Sequence, residues 1–195
     1  MPLHRSAGGM PSAQSSIPGE FAVKGRRFQT GEEIDPPLDE YRLMIVGLRG
    51  SLYLKDVTYG GTSALHKPLL LGSAMAGARL RVILGHDGGV LKVHVADGDG
   101  EPVAGANVFV FPKETTSPAT LALTRITGQA DQNGDYASPA LAPGSYYALA
   151  TEEDATDLSP ETLSRLLNSR PKAKEVEVKA NATVELLLEP VKLDR

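Results

Sequence analysis

The sequence predicts an all-β fold of antiparallel strands packed as a Greek-key sandwich, and three observations carry that prediction. Apolar and polar residues alternate with period two over many short runs. Gly, Pro, Asp and Asn punctuate those runs as tight turns require. One stretch only, Ser159 to Leu167, has helical spacing. With 195 residues, 41% of them apolar, the chain can bury a core, and its turn signals divide it into two small β units.

Residues 1–19 are rich in Ser, Gly and Pro, with too few apolar residues to offset the entropy of ordering them, and read as a flexible tail. Residues 20–86 follow as a partial sandwich. Its strands are expected at Phe21 to Gln29, Tyr41 to Val46, Leu52 to Tyr59 and Arg79 to Leu84. In the last of these Leu80, Val82 and Leu84 share one face and Arg79 and Arg81 the other, the pattern of a half-buried strand.

Residues 87–190 make the second unit, before a short tail at 191–195. Leu91, Val93 and Val95 alternate with Lys92 and His94, and Asp97-Gly98-Asp99-Gly100 turns the chain. Ala106, Val108 and Val110 then alternate with Asn107, Phe109 and Phe111 up to Pro112; both faces are apolar, so this strand is expected to be central. Asn133-Gly134 predicts a hairpin, because both residues tolerate positive φ. Pro143-Gly144 turns into a strand from Tyr146 to Thr151. Ser159 can cap a short, peripheral helix with Pro160 in its first turn, Glu161 at its positive end, and Leu163, Leu166 and Leu167 as its apolar stripe. Val176 and Val178, then Val184, Leu186 and Leu188, predict a closing hairpin around Asn181. A faint repeat relates Pro37-Leu38-Asp39-Glu40-Tyr41 to Pro143-Gly144-Ser145-Tyr146.

Gly89-Val90-Leu91-Lys92-Val93-His94-Val95-Ala96-Asp97-Gly98-Asp99-Gly100-Glu101-Pro102-Val103-Ala104-Gly105-Ala106-Asn107-Val108 is similar to the opening of carboxypeptidase regulatory-like domains. Thr127 to Tyr136, with Asp131, Asn133 and Gly134, resembles that family's second signature, and Leu141-Ala142-Pro143-Gly144-Ser145-Tyr146 its third. Tyr41-Arg42-Leu43, Gly47-Leu48 and Tyr53 to Gly61 look like the end of a preceding copy. The chain departs from the pattern at Val93, where the family usually has Gly. The resemblance implies a prealbumin or transthyretin-like sandwich, of the tandem type in exported soil-bacterial proteins, related to carbohydrate-binding folds. It also implies an exported, periplasmic or cell-surface location and a non-catalytic binding or spacer role. The alternatives are a carbohydrate-binding module and the accessory part of a peptidase or hydrolase.

Composition narrows the chemistry. There is no cysteine, which excludes disulfides, thiol nucleophiles and cysteine-ligated metals. A net charge of -4 with scattered Lys and Arg offers no field for a phosphate backbone, so nucleic acid is not an expected partner. No apolar run approaches membrane-spanning length, and residues 1–20 show no apolar signal core. Asp97, Asp99, Asp131 and Asp135 place side-chain oxygens on two turns where calcium could bind, although Asp, Asn and Gly are also what tight turns demand. His4, His66, His86 and His94 show no metalloprotease spacing. Tyr53, Lys55, Val57 and Tyr59 follow period two, and Tyr53, Lys55 and Tyr59 form the candidate strip for a carbohydrate or protein ligand, with core packing as the competing role. Tyr146, after a Pro-Gly turn, is expected to anchor a sheet corner through its hydroxyl. Self-association through an exposed strand edge is a further expectation.

Overall fold

The computed structural model describes residues 20–23, 26–29, 39–41, 43–46, 48–65, 67, 69–71 and 79–194, with side chains described for 48–65, 67 and 79–194. The expectations for the tail at 1–19, for Pro37 and Leu38, and for His4 and His66 lie outside these residues.

In the first unit β1 (Glu20–Val23) pairs antiparallel with β2 (Arg26–Gln29) and with β4 (Leu43–Val46), and β3 (Asp39–Tyr41) pairs with β7 (Leu69–Leu71). The single strand expected over Phe21 to Gln29 is therefore two, folded on each other. β5 (Tyr53–Tyr59) lies between β6 (Thr62–Ser63) and β8 (Leu80–Gly85). Its register on β8 slips between Leu54 and Asp56, a bulge that breaks strict alternation along β5.

The second unit is a sandwich of two sheets. The first runs β11 (Ile126–Gln129), β10 (Asn107–Pro112), β13 (Gly144–Thr151), β14 (Lys174–Val178), antiparallel throughout. The second runs β12 (Asp135–Ala137), β9 (Val90–Val95), β15 (Thr183–Leu188), with β15 parallel to β9. Leu91, Val93 and Val95 from one sheet meet Val108, Ala148 and Val176 from the other, so Val93 is core-filling where the resembled family carries Gly. As expected, β10 is central and buried on both faces.

The outer face of the four-stranded sheet is covered too. Phe109, Phe111 and Leu149 pack against Leu121 of helix α1 (Pro118–Thr124) and Leu163 and Leu166 of helix α2 (Pro160–Asn168). Ser159 caps α2, its hydroxyl accepting from the Thr162 N–H at 3.2 Å. The helix expected as peripheral thus roofs a second apolar layer, and among the described residues there are two such helices where one was expected. α1 has the same start, Ser117 accepting from the Thr120 N–H with Pro118 in the first turn. It spans seven residues with only Leu121 fully buried, too few for a readable stripe.

Two expected hairpins are not hairpins. Gly134 takes φ 76°, as the Asn-Gly signal requires, but β11 and β12 belong to opposite sheets. Val95 N–H donates to Gly134 O at 2.7 Å and draws the chain across the sandwich. β14 and β15 likewise part to opposite sheets around Asn181, which holds φ 55°. Turn chemistry reports local φ; which sheet each arm joins is set by the core both arms must cover.

The expected tail after Pro190 is tied down as far as Asp194. Val191 N–H donates to Ala150 O at 2.8 Å, and Leu193 is buried in the layer beneath the helices. Leu193 N–H donates to Glu153 Oε1 at 2.9 Å, Asp194 N–H to Ser169 Oγ at 2.7 Å, and Arg165 pairs with Glu153.

Candidate functional site

Tyr53 stands where the two units meet. A glycine-rich run, Gly85-His86-Asp87-Gly88-Gly89, joins β8 to β9 and is bonded on both sides. Toward the first unit, Gly88 N–H donates to Ser51 O at 3.0 Å, Ser51 Oγ donates to His86 O at 2.5 Å, and Tyr53 Oη donates to Asp87 Oδ1 at 3.1 Å. Toward the second, Asn181 N–H donates to Asp87 O at 2.9 Å, and Gly89 exchanges bonds with Leu141 at 3.0 and 2.8 Å. The Tyr53 ring lies so close that a Cβ on Gly85 would sit 2.2 Å from its Cζ, and one on Gly88 2.7 Å from Ser51 O. Burial, and then the bond to the Asp87 carboxylate, raise the Tyr53 hydroxyl pKa above the ordinary phenol range.

The predicted strip is therefore divided. Tyr53 is 8% exposed and Val57 1%, while Lys55 is exposed at the bulge and Tyr59 half-buried at the far end of β5. Tyr53 does not share an open face with Lys55 and Tyr59. The residues that sequence reasoning missed are its partners, Ser51, Gly85, Asp87 and Gly88; the closely spaced glycines were the available signal, since close backbone approach calls for Gly.

The two acidic turns are side by side at one end of the sandwich, for a Cβ on Gly134 would lie 3.1 Å from Pro102 Cβ. Each is closed by its first aspartate. Asp97 Oδ1 accepts from the N–H groups of Asp99 and Glu101, both at 3.0 Å; Asp131 Oδ1 accepts from Asn133 at 2.8 Å and Asp135 at 3.0 Å. The Asp135 and Asn133 N–H groups hold the Asp131 carboxyl below its ordinary pKa. Asp135 turns instead to His94, with Oδ1 and Nδ1 2.8 Å apart. Among the described residues no group of three Asp, Glu or His side chains converges to hold a metal; of the four aspartates expected as calcium ligands, Asp97 and Asp131 close their turns and Asp135 reaches His94.

Tyr146 is at the expected corner. Its hydroxyl donates to Ala142 O at 2.8 Å, and burial pushes its pKa up to about 12. The outer face of the three-stranded sheet, unlike that of its partner sheet, has no helix over it and holds a shallow groove of about 700 Å³ among Lys92, His94, Asp135, Glu185 and Leu187.

The described architecture is a β-sandwich of one four-stranded and one three-stranded sheet, preceded by further short β-sheets. No protein-family model and no curated protein matches the chain. Among solved structures it is similar to the TIE protein of Bacillus anthracis at 12% identity and TM-score 0.37, over 89% of this chain and 31% of that one. It is similar to the 5-hydroxyisourate hydrolase of Klebsiella pneumoniae at 14% and 0.31, over 54% of this chain and 94% of that one. Similarity to the major pilin subunit of Bacillus cereus is 16% and 0.33, over 71% and 56%. This chain thus spans about a third of the first and just over half of the third.

Among the described residues no helix is long and apolar enough to cross a membrane.

Proposed function

We propose that the chain is a non-catalytic spacer module of an exported bacterial protein, in which two β units are held at a set angle. The observation that carries this reading is the clamped junction: the four residues between β8 and β9, His86 to Gly89, are each bonded to one unit or the other. A hinge needs backbone free to rotate, and the Gly85 and Gly88 positions are filled instead by the Tyr53 ring and Ser51 O. The aspartates nearest to a reactive arrangement are occupied in closing turns, which supports a structural use of them.

Small-angle scattering and 15N relaxation test the reading. The two units of the wild type are expected to tumble as one body, and Tyr53→Ala to release them; independent tumbling in the wild type would overturn the proposal. A ligand role falls to Lys55 and Tyr59, the accessible part of the strip. A glycan array comparing the wild type with Tyr59→Ala reads it, and binding lost in that variant is the result that supports it.

A further inference from the structure

The sandwich has four strand edges, and three of them are guarded. On β14 the outward backbone groups belong to Glu175 and Glu177, and Glu175 is paired with Lys113 at 2.5 Å. On β15 they belong to Thr183, Glu185 and Leu187, and Lys174 Nζ already donates to Leu187 O at 2.8 Å. β12 is three residues long and carries the Asp135–His94 pair. Charged side chains and short length are the usual means of keeping an edge from pairing.

β11 has no charged residue and, among the described residues, no segment bonded along its outer edge. Its sequence is Ile126-Thr127-Gly128-Gln129. Ala130 N–H donates to Ala106 O at 2.9 Å, so by antiparallel alternation Gly128 and Ile126 face β10, while the N–H and C=O of Thr127 and Gln129 face outward. Among the described residues none bonds those outward groups, and both side chains are exposed. The strand is also self-complementary. Turned about a dyad at Gly128, a second β11 sets Thr127 of each copy against Gln129 of the other, with all four outward groups matched. Gly128 must stay bare for a reason inside the fold, since a Cβ there would lie 2.1 Å from Tyr136 Cε2, and this leaves the dyad centre free of side chains.

We infer that a second copy of this chain pairs antiparallel along β11, centred on Gly128, joining two four-stranded sheets into one. The contact is isologous and therefore closes at a dimer. It is short, and its affinity is correspondingly weak.

Sedimentation equilibrium on the full chain tests this between about 1 µM and 1 mM. The apparent mass is expected to rise from 20.6 kDa toward a dimer. Thr127→Pro removes an outward N–H without costing a bond to β10 and is expected to stay monomeric throughout. Glu185→Ala and Lys174→Ala, at the guarded edges, are expected to associate as the wild type does. A wild type monomeric at the highest concentration, or Thr127→Pro associating normally, would overturn the inference, as would loss of association in Glu185→Ala. Hydrogen exchange of the wild type needs no variant. The Thr127 and Gln129 amides are expected to slow by about tenfold from the dilute to the concentrated sample, and unchanged rates count against the pairing.

Discussion

Two tyrosines show how differently one residue type can be used. Tyr146 donates its hydroxyl to Ala142 O, whereas Tyr136 Oη is buried with no partner among the described residues. Tyr146→Phe is expected to lose about 1 kcal/mol in urea melts, and Tyr136→Phe to lose nothing or gain up to about 1 kcal/mol, because an unmade bond costs nothing to remove. Alkali follows from the same burial. The Tyr146 pKa rises from 10.0 unfolded to about 12 folded, so above pH 10 the unfolded chain gives up a proton that the folded chain keeps. The contribution of Tyr146 is therefore level below pH 10 and is lost between pH 10 and about 12; melts of the wild type and Tyr146→Phe across that range should converge. The role of Tyr146 was legible, since the Pro143-Gly144 turn that creates the corner is adjacent. That of Tyr53 was not, because Asp87 lies 34 positions away and no local pattern couples them.

Elements show the same division. Alternation found β9 and β10, and a cap followed by Pro found α2, because those signals are contained within the element itself. The tie-down of residues 191–194 depends on Glu153, Arg165 and Ser169, which only the fold brings near. Truncation after Pro190 removes the buried Leu193 and is expected to cost roughly 2–4 kcal/mol of unfolding free energy in the 87–195 fragment. Acid acts on the same contact. Arg165, and then the Leu193 N–H, hold the Glu153 pKa below its ordinary value, so their contribution is complete above the ordinary glutamate range and is lost as pH falls through the lowered value. An acid titration of Glu153→Gln should lack that part of the pH dependence.

For the whole molecule, the apolar faces are satisfied within residues 87–194: the two sheets cover each other, and α1 and α2 cover the other face of the four-stranded sheet. The fragment 87–195 is therefore expected to melt cooperatively alone with a mostly β circular-dichroism spectrum, and a non-cooperative melt would show that it needs the first unit. Sequence by itself determined β9, β10 and β13 with their inward faces, the turns and the Tyr146 corner, because each follows from a period or a φ preference a few residues long. Tertiary structure decided which sheet each strand joined, that Asn133-Gly134 and Asn181 cross the sandwich instead of closing hairpins, and that Tyr53 clamps a junction instead of facing a ligand. Those outcomes depend on which surfaces must be buried together, and burial is a property of the assembled core, not of any one segment.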